Sequence, residues 1–294
     1  MKAIILAGGS GSRLYPLTRI SSKQLQAVFD KPMIYYPLTV LMASGIKEFC
    51  LISTPEDLPN YRRLLGDGHQ WGISIEHREQ VKPDGIAQAF LIASDFVGSD
   101  GVTLMLGDNI FSGGDDFPRA ISGFGGGATI FAYHVNDPKR YGVVEFDADG
   151  RAVSIEEKPL QPRSNYAIPG IYIYDNNVLD IARGIKPSPR GELEITDVNL
   201  EYLRRGLLRV QRLSRGFAWL DAGTSTALHE ASTYIAAIER RQGIKIGCPE
   251  EAALVRGFLG IKQFEALVEE MPTCEYSDYL RSVADEWHRL QDGK

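Results

Sequence analysis

The sequence has no surplus of positive charge and no long apolar run. Thirty-two Lys and Arg against 38 Asp and Glu leave a formal charge of -6, which offers no general attraction to a nucleic-acid backbone or an anionic membrane. Any anionic ligand must therefore be met by a local cluster of cations. The apolar stretches fall short of the roughly 18 residues that a membrane span needs. The first, Ala3 to Ala7, follows a single Lys and ends at Gly8-Gly9, too short for the core of a secretory signal. Cysteine is scarce: Cys50, Cys248 and Cys274 are an odd number with no CxxC or Cys/His spacing, which fits buried reduced thiols better than a disulfide framework or a zinc site. Together these absences imply a cytoplasmic protein that binds neither nucleic acid nor membrane. Pro/Ser-rich linkers and low-complexity tracts are missing as well.

What is present is ordinary for a soluble chain of 294 residues, with 44% hydrophobic and 24% charged residues. That length can bury a substantial core in one large or two smaller domains. In the first half, short β-branched runs (KAIILA, EFCLIST, ISIEHRE, GVTLMLGDN) alternate with helix-patterned segments (PMIYYPLTVLMASG, YRRLLGDG, GIAQAFLIASDFV). This is the signature of βα units on a buried, mostly parallel sheet, a Rossmann-like doubly wound α/β layer. From Ala128 to Glu157 the alternation is stricter and Asp149-Gly150 reads as a hairpin turn, so the sheet becomes mixed there. After Asp221 the pattern turns helical. LHEASTYIAAIERRQG stops at Gly243, a fitting C-cap, and PEEAALVRGFLG and SDYLRSVADEWHRL read as two more helices. The expected organisation is a catalytic domain over residues 1–228 with a C-terminal helical region, 229–294, packed on it.

Ligands of open parallel sheets bind beyond the carboxyl ends of the strands, where Gly8 to Ser12 fall. Successive N–H groups in such a turn can form an anion-binding nest. The loop matches no standard template: it lacks the Gly-Lys-Ser/Thr of a Walker A, and Leu14 stands where a G-x-G-x-x-G needs its last glycine. A tight turn with no ligand is the alternative. Arg13 and Lys23 could neutralise a polyphosphate beside the nest, or be solvated surface cations. Asp108 in LMLGDN and Asp221 in FAWLDAGT each close an apolar run. A sparse carboxylate pair suits Mg²⁺ arriving with substrate phosphates; each Asp alone could equally be a turn former.

GGSGSRLYPLT, SSKQ and DKPMIYYPL resemble the sugar nucleotidyltransferases, and within them the glucose-1-phosphate thymidylyltransferases. The likeness continues in order through QVKPDGIAQAF, LGDNIF, FAYHVNDPKRYGVVEFD, EEKP, SNYAIPGIYIYD, SPRGELEITDVN, RGFAWLDAGT and IERRQGIKIGCPEE. It implies a reaction in which dTTP and glucose 1-phosphate give dTDP-glucose and pyrophosphate, with Mg²⁺ as cofactor, in a homotetramer. By motif, Gly8, Gly9 and Gly11 would cradle the triphosphate. Arg13 would hold the α-phosphate and the leaving pyrophosphate, Lys23 would screen the reacting phosphates, and Asp108 and Asp221 would bind the metal. Gln80, Pro83 and Gly85 would read the pyrimidine edge. Tyr141, Gly142, Glu157 and Ile168 would line the glucose pocket, with Lys158 and Arg190 on the sugar phosphate. Tyr141 and Trp219 could instead simply fill a core.

The chain departs from the family where a Tyr-Gly-His usually follows the LGDN stretch: Ser112, Gly113 and Gly114 stand there. In relatives that Tyr and His help form a second site for feedback by dTDP-rhamnose, so this regulation is in doubt. Ala222 and Pro169 each replace a Thr, and Gln26 stands at an apolar position; none of these changes a charge. Two alternatives remain open. One is a transferase of the same fold using UTP or another sugar 1-phosphate, since one methyl group is worth about 1–3 kcal/mol in a pocket. The other is a catalytically silent nucleotide-sugar binding protein, which would be expected to have lost Arg13, Lys23 or an aspartate.

Overall fold

The computed structural model describes residues 1–9 and 11–292; Ser10, part of the glycine loop, lies outside them. In chain order the strands are β1 (Lys2–Leu6), a short hairpin of β2 (Ala27–Val28) and β3 (Lys31–Pro32), β4 (Glu48–Ser53), β5 (Ser74–Glu79), β6 (Val102–Leu106), β7 (Asn109–Ser112), β8 (Ala128–His134), β9 (Gly142–Phe146), β10 (Ala152–Glu157), β11 (Tyr166–Ile168), β12 (Ile171–Tyr174), β13 (Leu208–Arg212) and β14 (Ala218–Asp221). Helices α1 (Tyr35–Ala43), α2 (Leu58–Leu65), α3 (Gln88–Ile92), α4 (Ser94–Val97), α5 (Asp116–Ser122), α6 (Val178–Gly184) and α7 (Ile195–Arg204) fill the connections. The chain closes with α8 (Ser225–Gln242), α9 (Pro249–Val255), α10 (Ile261–Glu269) and α11 (Glu275–Asp292).

One sheet carries the molecule in the order β10-β9-β11-β8-β12-β6-β1-β4-β5, with β13 on β8. The β6-β1-β4-β5 part is parallel. Its inner strands β1, β4 and β6 are largely apolar because both faces are covered, whereas β5 at the edge is mostly polar: Ile4 and Leu6 enter one core with Ile52 and Leu104, while Ala3 and Ile5 enter the other with Leu51 and Met105. From β12 onward the pairings turn antiparallel, apart from β13, which runs parallel to β8, so the sheet is mixed as the stricter alternation implies. The β9–β10 hairpin turns at Asp149-Gly150, with Gly150 at φ 80.

Gly243 caps α8 in a left-handed conformation, its N–H bonded to the Glu239 carbonyl at 2.8 Å. The division expected after residue 228 falls within α8, which buries Leu228, Ala231 and Ile235 against Leu14 and Val28 of the amino-terminal region. The tail holds three helices after α8 where the pattern suggested two. PEEAALVRGFLG stops at Val255 because Gly257 turns left-handed at φ 67, and the chain re-enters a helix at Ile261. Among the described residues, no helix is long and apolar enough to cross a membrane.

Candidate active site

The loops after the parallel strands converge at one edge of the sheet. Gly8 follows β1, Asp108 follows β6 and Gln80 follows β5; between them Ser53 at the end of β4 donates to the Ala7 carbonyl at 3.0 Å and its own carbonyl accepts the Gln80 N–H at 2.8 Å. Gly9 and Gly11 have positive φ, 104 and 55, conformations that glycine adopts without a Cβ penalty. Gly11 leads into a single 3₁₀ turn, Ser12–Leu14, closed by the Leu14 N–H on the Gly11 carbonyl at 2.8 Å. Leu14 is fully buried among Val28, Tyr36, Ile110 and Ala222. That anchor, worth about 2 kcal/mol of burial, holds the loop while its neighbour Arg13 stays exposed.

The two aspartates are brought together by strand pairing. β7 and β14 run antiparallel with Asn109 opposite Asp221, so Asp108 lies one residue from that pair. Lys23 is ion-paired to Asp108 Oδ2, and Asn109 Nδ2 donates to Oδ1 at 2.9 Å. Burial alone would raise the Asp108 carboxyl, but the Lys23 ammonium and the Asn109 amide outweigh it and hold the group below the usual carboxylate range. Asp221 Oδ2 accepts from Arg140 Nη2 at 2.8 Å and from the Tyr141 hydroxyl at 3.2 Å. Arg13 stands on its other side: a Cβ on Gly223 would lie 2.9 Å from Asp221 Oδ1 and 3.3 Å from Arg13 Nη2.

Beside the aspartates lies a cavity of about 260 Å³. Arg13, Asp108 and Asp221 line it together with Tyr141, Gly142, Glu157, Lys158 and Ile168. Glu157 is held by the Thr196 hydroxyl, which donates to Oε2 at 2.6 Å, and by Lys158 Nζ at 3.4 Å from Oε1. A Cβ on Gly142 would approach Glu157 Oε2 at 3.4 Å, so the bare glycine keeps that carboxylate reachable. Lys158 sits at φ 45, an uncommon conformation for a residue with a side chain, with its N–H on the Tyr141 carbonyl at 3.0 Å. Trp219 packs on Tyr141 at 4.9 Å between ring centres and also borders the cavity. It is thus both a packing element and part of the wall.

The nucleotidyl transferase family model matches residues 2–238. Glucose-1-phosphate thymidylyltransferase of Xanthomonas campestris pv. campestris (strain B100) is 52% identical over 285 residues, 96% of this chain and 97% of that protein. Its counterpart in Mycolicibacterium smegmatis is 53% identical over 288 residues, 97% and 99% of the two chains. A Bacillus anthracis crystal structure with sucrose, assigned to the same activity, superposes with a TM-score of 0.75 at 42% identity over 80% of this chain and 94% of that one. The chain belongs to the nucleotidyltransferases, on the glucose-1-phosphate thymidylyltransferase branch. A UDP-glucose pyrophosphorylase bound to UDP-glucose, at 20% identity and a TM-score of 0.69, shares the fold.

Other nucleotidyltransferase positions lie outside the cavity. Gln80 is 3% exposed and faces the glycine loop; a Cβ on Gly8 would lie 2.5 Å from its Oε1, while its Nε2 donates to Gln88 Oε1 at 2.6 Å. Pro83 is exposed. Gly85, at φ 110, packs so closely on the Leu193 backbone that a Cβ would collide with its N and O, which gives this glycine a structural reason to be there. Arg190 is held by Glu194, with Nη2 at 2.8 and 2.9 Å from the two carboxylate oxygens, and lies 3.8 Å from Glu157 Oε1. Gln26, polar at an expected apolar position, is satisfied by the Leu17 carbonyl at 3.1 Å and Ser21 Oγ at 3.0 Å.

Three site residues escape sequence reasoning. Gln24 is 2% exposed, its Nε2 3.5 Å from the Gly8 carbonyl and its Oε1 without a hydrogen-bond partner among the described residues. Its signal was only its place beside Lys23. Arg140 directly precedes Tyr141 and touches Asp221. Thr196 braces Glu157 from a helix far along the chain. Neither of these two has a local pattern that announces it.

Proposed function

We propose that this chain forms dTDP-glucose and pyrophosphate from dTTP and glucose 1-phosphate. The observation that carries the reading is the meeting of the glycine loop, Arg13 and Lys23 with two aspartates brought together by strand pairing, beside a cavity of about 260 Å³ that Glu157 also lines. The attacking oxygen of the sugar phosphate is already anionic, so the reaction needs positioning and charge stabilisation and no general base. The loop amides and Arg13 hold the triphosphate, Lys23 screens the reacting phosphates, and Lys158 meets the sugar phosphate. Glu157, fixed by Thr196, accepts from sugar hydroxyls.

Mg²⁺ fits the donor set. Among the described residues, no group of three or more His, Cys, Asp or Glu could hold a metal ion, and Mg²⁺ commonly uses one or two carboxylates and takes its other ligands from phosphates and water. Asp108 and Asp221 would hold it, and it would supply neutralisation of charge on the phosphates. The family likeness extends the proposal to a cytoplasmic homotetramer, which sedimentation can check.

A second reading, UTP in place of dTTP, follows from Gln80. Its Nε2 is engaged by Gln88, which leaves Oε1 to accept from a pyrimidine N3–H that thymine and uracil share. The deciding experiment sets dTTP, UTP, CTP and ATP against a series of sugar 1-phosphates with pyrophosphate release as readout. Highest kcat/KM with dTTP and glucose 1-phosphate supports the proposal. A preference for ATP removes Gln80 from base recognition, and no release with any pair leaves a binding protein.

A further inference from the structure

Each candidate metal aspartate already faces a cation of the chain itself, and the two cations differ in freedom. Lys23, on Asp108, has a side chain only 15% exposed, whereas Arg140, on Asp221, is 47% exposed. Arg140 ends a short 3₁₀ turn, Pro138–Arg140, seated by the buried Pro138. Its Nη2 reaches Asp221 Oδ2 at 2.8 Å and the Tyr141 hydroxyl at 3.3 Å, with its guanidinium 5.5 Å from the centre of the Tyr141 ring. Beyond it opens a second hollow of about 520 Å³ bordered by Asp137, Thr224, Thr226 and Glu230. The guanidinium therefore has room to leave Asp221 without disturbing the sheet.

We infer that Arg140 guards Asp221: in the free protein it occupies the carboxylate oxygen a divalent ion needs, and it yields that oxygen when a triphosphate offers phosphate oxygens instead. The inference rests on the metal-site reading given above. A guanidinium fork suits phosphate as well as carboxylate, so the exchange of partners replaces one charge-assisted pair with another. An ion arriving alone has no such exchange available and must displace the guanidinium into water. Ion and nucleotide consequently bind as a pair, each strengthening the other reciprocally.

The test measures Mn²⁺ binding by electron paramagnetic resonance of the free ion, and dTTP binding by calorimetry in EDTA, for the wild-type protein, Arg140→Met and Arg140→Gln. Without nucleotide, both variants are expected to bind Mn²⁺ about tenfold more tightly than wild type, and in EDTA to bind dTTP more weakly. Unchanged or weaker Mn²⁺ binding in whichever variant folds overturns the guard. Asp221→Asn separates this from the underlying reading. If that variant keeps wild-type Mn²⁺ binding in the presence of dTTP, the metal assignment itself fails; if it loses binding while the Arg140 variants match wild type, only the guard fails.

Discussion

Asn109 grips Asp108 from the side: its Nδ2 donates to Asp108 Oδ1 at 2.9 Å, while its own Oδ1 accepts the Trp219 indole N–H at 2.7 Å and the Gly170 N–H at 3.0 Å. Two donors on one oxygen fix which way the amide faces. Asn109→Ala leaves the buried Gly170 N–H and the half-buried Trp219 indole N–H unpaired, at about 1–3 kcal/mol of stability, and frees the Asp108 carboxylate to turn. Asn109→Asp keeps an acceptor for both donors but faces Asp108 with a like charge. Urea unfolding is expected to show a loss of stability for Asn109→Ala and a smaller loss for Asn109→Asp, with turnover lowered by about 10²-fold in both. Wild-type turnover in Asn109→Asp would mean that Asp108 needs no such brace.

A second cluster of charges ties the β2–β3 hairpin to the end of α8. Lys31 and Glu239 are buried and paired at 3.0 Å, and Lys245 joins Glu239 at 3.1 Å and also Asp30. Burial pushes Asp30 upward, but hydrogen bonds and attraction from Lys245 and Lys31 prevail and its pKa is lowered; burial pushes Lys245 downward, but Asp30 and Glu239 prevail and its pKa is raised. A depressed carboxylate gives stability that is full above its unfolded value and lost as pH falls through the folded one. A raised ammonium gives stability that is full below its unfolded value and lost as pH rises through the folded one. The stability difference between wild type and Lys245→Met should thus be level between roughly pH 4 and 10 and shrink outside that range. Urea unfolding across pH checks it; a difference that persists undiminished at low pH would contradict the sign.

Gly8 and Gly85 look alike in sequence and make opposite predictions. At Gly8 an added Cβ meets only the end of the Gln80 side chain, at 2.5 Å, and φ is not positive. At Gly85 it meets Leu193 backbone with φ at 110, and the same segments are stitched by Leu193 N–H to the Asp84 carbonyl at 2.7 Å and Ala87 N–H to the Leu193 carbonyl at 3.1 Å. Gly8→Ala should fold normally and raise the KM for dTTP by displacing Gln80. Gly85→Ala should lower the melting temperature by several degrees, as a clash of more than 1 kcal/mol does in a chain of this size. Similar melting temperatures for the two variants would refute the distinction.

The contrast between these glycines shows what a sequence discloses. Continuous apolar runs such as Ala3 to Ala7 announce strands covered on both faces, and Gly243 announces a helix end, because each depends on neighbours along the chain. The juxtaposition of Asp108 with Asp221 depends on β7 finding β14, a pairing that no local period encodes. Arg140 and Thr196 acquire their partners in the same way. Motif likeness reached Asp221 without explaining why it lies there; strand register supplies the reason. The pattern carries the first tail helix on to Gly260, but Gly257 turns left-handed after Val255, and α10 lies beyond that segment, in a stretch the pattern leaves unassigned.

Ser112 ends β7 and Gly113 and Gly114 follow it, where the family resemblance leads one to expect Tyr-Gly-His. Gly113 and Gly114 have φ of 90 and 69, and a Cβ on Gly114 would lie 2.7 Å from Asp116 Oδ2 and 3.0 Å from Phe217 Cδ2. Asp116 is itself buried and accepts from Ser214 Oγ at 2.8 Å, so it has little room to move aside. The bend thus offers neither an aromatic face for a base to stack on nor an imidazole for a diphosphate, and a side chain at Gly114 would be strained as well as crowded. Inhibition by dTDP-rhamnose should therefore be no stronger than inhibition by dTDP-glucose and should be relieved by raising dTTP, as competition at the active site requires. Initial rates at several dTTP concentrations with each compound decide the matter. Tight inhibition by dTDP-rhamnose that excess dTTP does not relieve would show that a second nucleotide-sugar site persists without the aromatic and the imidazole.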